Sequence, residues 1–126
     1  MEPEIIQQKT KKTPAISYDP GAGTMTIEGR SIPENPESLY KLLRDWLVKF
    51  FSYSDNLRLK IILEYINSGS SKHLLEILKL IKEYKEGGKT VRIIWYYEED
   101  DEAIMELGEH YRDTSGIPIE IEMLLG

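Results

Sequence analysis

Leu57-Arg58-Leu59-Lys60-Ile61-Ile62-Leu63-Glu64-Tyr65-Ile66 runs through Asn67-Ser68-Gly69-Ser70-Ser71-Lys72 into His73-Leu74-Leu75, and its period changes on the way. In the first part Leu57, Leu59, Ile61, Leu63 and Tyr65 share one face, and Arg58, Lys60 and Glu64 lie on the other with Ile62 and Ile66. A period of two is a strand with one wet face. After Ser71 the apolar residues Leu74, Leu75, Ile77, Leu78, Leu80, Ile81 and Tyr84 follow a helical period. Gly87-Gly88 stops that helix near Glu86. Val91 to Tyr97 is nearly all apolar or aromatic and suits a central strand. Strand, helix and strand in that order imply a right-handed crossover and parallel pairing.

The same reading extends outward. Upstream, Leu39, Leu42, Leu43, Trp46, Leu47 and Phe50 form one helical stripe between about Pro36 and Phe51. Asn35 can cap it, Pro36 suits its first position and Glu37 suits its dipole. Before it, Pro14–Asp19 and Thr24–Glu28 alternate around Asp19-Pro20-Gly21-Ala22-Gly23, which predicts a hairpin. Downstream, the acidic run Glu98–Glu102 opens a third helix to about Asp113. Ile117, Ile119, Ile121, Met123 and Leu125 then alternate as a last strand. The order β-β-α-β-α-β-α-β predicts an α/β fold. It is a two-layer sandwich with a mixed sheet of about five strands and about three helices covering mainly one face. Residues 1–12 are polar and read as a flexible N-terminal tail, with one domain over residues 13–126.

The chain has 126 residues, 40% of them hydrophobic, enough for one core. Lys and Arg number 16 against 22 Asp and Glu, a net charge of −6. That disfavours nucleic acid and anionic membrane as partners, since both require a positive field. There is no cysteine, so disulfides, thiol nucleophiles and Cys-ligated metals are excluded. No apolar run approaches a membrane span, and the acidic start lacks a secretory signal's pattern. A cytoplasmic location is the expectation.

Catalytic readings are weak. The carboxylates of Glu98–Glu102 match no calcium-loop spacing. Glu106-x-x-Glu109-His110 lacks the second histidine of a zinc helix, and His73 reads as a surface residue. Trp46 and Trp95 read as core. Ser68 and Ser70 lie near His73, but the nucleophile elbow is absent. The expectation is therefore no enzyme, no cofactor and no metal. What stands out is Asn67-Ser68-Gly69-Ser70-Ser71-Lys72, a hydroxyl-rich strand-to-helix turn. Read simply, Ser70 or Ser71 caps the helix. Read functionally, it is a binding or modifiable loop, where a phosphate would meet free backbone N–H groups and Lys72.

Thr13-Pro14-Ala15, Gly29-x-Ser31-x-Pro33-Glu34-Asn35, Tyr65-x-Asn67-Ser68-Gly69-Ser70-x-Lys72, Trp95-x-Tyr97 and Glu106-x-Gly108-Glu109 occur in this order. Together they resemble the SiaC family of bacterial regulatory phosphoproteins, from about Thr13 to near the end. The resemblance implies a fold similar to STAS domains and a partner-switching role. In that role a dedicated Ser/Thr kinase phosphorylates the strand–helix loop, and a PP2C-type phosphatase reverses it. The unphosphorylated form binds a partner such as a diguanylate cyclase, which places the protein in cyclic di-GMP signalling. The family's acceptor, a threonine, aligns with Ser68, and Ser70 is the alternative. Asn67, Gly69, Ser70, Ser71 and Lys72 then shape the loop and the partner contact. An anti-sigma-factor antagonist of STAS type, or a metal enzyme using residues 98–102, are the rival readings.

Overall fold

Parallel strands added one after another to the same side of a sheet, through crossovers of one hand, put every crossover helix on one face. The computed structural model has that arrangement. It describes residues 2–125; Met1 and Gly126, the outer ends of the expected tail and domain, lie outside the described residues. The elements are β1 (Glu4–Gln7), β2 (Ala15–Asp19), β3 (Thr24–Ser31), α1 (Pro36–Phe51), β4 (Asn56–Ile66), α2 (Ser68–Glu86), β5 (Thr90–Tyr97), α3 (Glu102–Ser115) and β6 (Glu120–Met123). They form one six-stranded sheet in the order β1-β2-β3-β4-β5-β6. β1, β2 and β3 pair antiparallel, and β3 through β6 pair parallel.

The core lies between the sheet and the helix layer. Met25, Ile27, Leu59, Ile61, Ile93 and Trp95 from the strands meet Leu43, Leu47, Phe50, Leu74, Leu78, Ile81 and Tyr111 from the helices. The opposite face carries Arg58, Lys60, Arg92, Glu120 and Glu122, and no helix among the described residues covers it. The α/β class and the two layers are as expected, but the sheet has six strands rather than about five.

The added strand corrects the reading of the tail. Glu4–Gln7 pairs with β2 through Glu4↔Tyr18 and Ile5↔Ser17. Ile6 packs on the core, and Glu4 accepts a hydrogen bond from the Trp46 indole at 3.1 Å. Composition hid this strand because Ile5 and Ile6 are its only large apolar residues, and an edge strand is held mainly by backbone pairing. Trp46 is corrected as well. It sits half-buried at the margin of the helix stripe, stacked on Phe50 at 4.9 Å and against Tyr18 at 5.1 Å. Leu42, on the same stripe, is 41% exposed. Trp95 is fully buried as expected, and its indole donates to the Ile104 carbonyl at 2.8 Å.

β4 departs from strict alternation at its end. Gly29 pairs with Leu63 but Arg30 pairs with Tyr65, so Glu64 is an extra residue in the strand. Such a bulge reverses which residues face inward. Tyr65 therefore turns out to 51% exposure and Ile66 turns into the core, the reverse of the expectation for both. The bulge lies immediately before Asn67.

Candidate functional site at the first turn of α2

The hydroxyl-rich segment is not a free loop. Asn67 leaves β4 in extended geometry, with φ −82° and ψ 168°. Its N–H donates to the Ser31 carbonyl at 3.0 Å, and its carbonyl accepts from the Ser71 N–H at 2.9 Å. Its Oδ1 accepts the Ser70 N–H at 2.8 Å. Asn67 is thus the N-cap, correcting the assignment of that role to Ser70 or Ser71. The Asn67 amide oxygen reaches the N3 N–H from the flanking N-cap position, which a serine already inside the helix cannot do.

Helix geometry then sorts the three hydroxyls by position. Ser68 is the first residue of α2 and is exposed. Ser70 is wholly buried, and its Oγ has no hydrogen-bond partner among the described residues. It faces the Tyr40 phenol, which is itself bonded to Ser31 Oγ at 2.8 Å. Burial pushes the Tyr40 phenol up to about 12, and the neighbouring Ser31 hydroxyl acts in the opposite sense. Ser71 is half-buried, and its Oγ lies 2.5 Å from the Tyr111 phenol on α3. Burial raises the Tyr111 phenol too, and its hydrogen bond with Ser71 opposes the shift. Ser70 and Ser71 are thus held in packing that Ser68 does not share.

The remaining residues frame Ser68. Gly69 is exposed, and a Cβ there would sit 3.5 Å from Pro36 Cγ, an ordinary contact. Lys72 is exposed one turn on from Ser68 and makes none of the ion pairs among the described residues. The N–H groups of Ser68 and Gly69 carry no hydrogen bond among those residues, as first-turn donors do when a cap satisfies only the third. His73 is not a plain surface residue; its ring stacks on Tyr40 at 5.8 Å. The sequence motifs include Ser31, but nothing in them points to Tyr40 or Tyr111 as its and Ser71's partners. A phenol in a helix stripe reads as packing, and its polar partner is 9 to 40 residues away.

The acidic run is a turn and a cap. Glu98, Glu99 and Asp100 are exposed, Asp101 caps α3 by accepting the Ile104 N–H at 3.0 Å, and the helix starts at Glu102, later than expected. Among the described residues no group of three His, Asp or Glu is placed to hold a metal. No helix among them is long and apolar enough to cross a membrane.

The comparisons with known proteins fall on this same framework. The model of the SiaC family of regulatory phosphoproteins matches residues 7–124. The chain belongs to the SiaC family. A curated relative, an uncharacterized protein of Pseudomonas aeruginosa (strain UCBPP-PA14), is 35% identical over 114 residues, 90% of each chain. Two solved structures superpose closely. SiaC of Pseudomonas aeruginosa has a TM-score of 0.85 at 33% identity, covering 98% of this chain and 100% of that one. The activator SiaC in complex with the diguanylate cyclase SiaD, from the same species, has a TM-score of 0.84 at 34% identity, covering 92% and 96%. The SiaC family membership carries a regulatory role, and the fold of this chain is that of the SiaC structures.

Proposed function

We propose that this SiaC family member is a non-enzymatic cytoplasmic switch, toggled by phosphorylation of Ser68, whose unphosphorylated form binds and activates a diguanylate cyclase. The observation that carries the site is the sorting of hydroxyls in the first turn of α2: Ser68 projects to solvent, Ser70 is buried and Ser71 is engaged by Tyr111. The partner class is supported by the relative crystallised as the activator of SiaD. A Ser/Thr kinase loads the switch, and a PP2C-type phosphatase resets it. Asn67 holds the turn, Gly69 leaves room beside the acceptor, and Lys72 faces the phosphate.

A phosphate on the first residue of a long helix meets unpaired N–H groups and the positive end of the dipole, so the fold accepts it. A cyclase surface shaped for a neutral hydroxyl meets instead nearly two negative charges, whose desolvation opposes binding. The test is co-expression with the cognate kinase followed by phosphate mapping. Phosphate on Ser68, lost in Ser68→Ala, supports the reading. Phosphate on Ser70 or Ser71 with Ser68 unmodified, or a chain unphosphorylated by an active kinase, overturns it. Ser68→Asp should fold normally yet fail to bind the cyclase, while Ser68→Ala should still bind.

A further inference from the structure

The sheet face away from the helices is divided by charge along the strands. At the N-terminal ends of β4 and β5, Arg58 and Arg92 line a shallow hollow with Asn56 and Thr90. At the C-terminal ends, Glu28, Glu64 and Glu98 line a second hollow with Ile62, Asp101 and Leu124, where Lys9 is the one cation. Between the two lie Lys60, Ile62, Ile94 and Tyr96.

The charges are evenly spaced along the sequence of β4 and β5. Ile27, Ile61, Trp95 and Ile121 stand in one register row across β3 to β6. Arg58 and Glu64 lie three residues either side of Ile61, and Arg92 and Glu98 lie three residues either side of Trp95. A two-fold axis over that row, perpendicular to the strands, lays β4 antiparallel on the β4 of a second copy. It sets Arg58 against the second copy's Glu64 and Arg92 against its Glu98, each contact made twice. At the β6 margin it faces Glu122 with the second copy's Glu120, a charge that Arg92 already holds through its guanidinium at 2.9 Å.

We infer that this open face is a self-association surface, on which two copies of the chain stack sheet to sheet in antiparallel fashion. Charge complementarity on β4 and β5 selects a second copy, because under that rotation each cationic strand end meets the other copy's acidic end, while at the β6 margin Glu122 and Glu120 oppose it. The footprint is modest. Five strands at about 4.8 Å and a span of about 20 Å along them give roughly 500 Å² per copy, at the low end for a specific interface. The dimer is therefore weak, reversible and salt-sensitive, with the ion pairs setting its register. It is independent of Ser68, which lies in the helix layer.

Sedimentation velocity on the full chain tests it, at about 100 µM in low salt and again in about 0.5 M NaCl. A dimer in low salt that dissociates in high salt is expected. Arg58→Glu and Glu64→Arg should each weaken it at least about 10-fold, since each places like charges opposite one another twice. An equimolar mixture of the two variants should dimerise again, because every altered contact is then complementary. Circular dichroism checks that both variants fold. A chain monomeric in low salt, a dimer indifferent to both substitutions, or a mixture that fails to reassociate overturns the proposal.

Discussion

The Ser71 hydroxyl and the Tyr111 phenol lie 2.5 Å apart and join the first turn of α2 to α3, directly behind the exposed Ser68. Tyr111 also meets Trp95 edge-on at 5.4 Å, so the turn is braced against the middle of the sheet. A turn held this way carries a charge without unwinding. Tyr111→Phe keeps the ring contacts and removes the bond, and it should cost about 1 kcal/mol in urea denaturation. A neutral result would show that water replaces the phenol at Ser71 and that the brace is apolar alone.

Gly108 on α3 rests on the Trp95 ring. A Cβ at that position would collide with Trp95 Cδ1 and lie 2.7 Å from its Cγ and Nε1. The indole cannot swing away cheaply, because its N–H is bonded to the Ile104 carbonyl. Gly108→Ala should therefore destabilise by about 3 kcal/mol through overpacking, despite the gain in helix propensity. Equilibrium unfolding measures it, and a change under about 0.5 kcal/mol would mean that α3 lifts freely from the sheet.

Deletion of residues 2–8 should lower the melting temperature by about 4 °C or more. It removes the backbone pairing of β1 with β2, the packing of Ile6 and the Glu4 bond to Trp46. Thermal melts by circular dichroism check it. An unchanged midpoint would show that β1 contributes nothing to the sheet's stability.

Burial holds the Tyr40 phenol protonated up to about 12, and burial raises Tyr111 in the same direction. A tyrosine in the unfolded chain ionises near 10. Below that pH the stability is fully present. Between about 10 and 12 the unfolded chain sheds the proton first, so stability falls as pH rises, by about 2–3 kcal/mol for Tyr40. Tyr40→Phe should lose about 1 kcal/mol at neutral pH, since Ser31 Oγ loses its partner. It should then fall less steeply than wild type through the alkaline window, with Tyr111 and Tyr18, both raised chiefly by burial, left to supply the residual slope. Denaturant midpoints at neutral and alkaline pH compare the two; parallel curves would show that Tyr40 does not control the alkaline transition.

The chain's own periodicities determined most of the architecture. The alternation in Leu57–Leu63, the helical spacing of Leu74–Tyr84 and the apolar run Val91–Tyr97 are local signals, and local backbone preference acts on neighbours in sequence. The ordered motifs point to the segment around Ser68 on which the proposed switch rests. Tertiary structure alone decided three things. The bulge at Glu64 turned Tyr65 outward and Ile66 inward, because pairing with β3 sets register and no residue in β4 encodes a partner about thirty-five positions away. Glu4–Gln7 became a strand because β2 offered it an edge of unpaired backbone groups, a source of stability that composition does not display. Which of Ser68, Ser70 and Ser71 stays exposed likewise came from outside the segment. Asn67 set where the helix begins, and helix geometry then turned Ser70 under Tyr40 and Ser71 onto Tyr111, leaving Ser68 in water. Burial is a property of what packs against a residue, and those partners lie on α1 and α3.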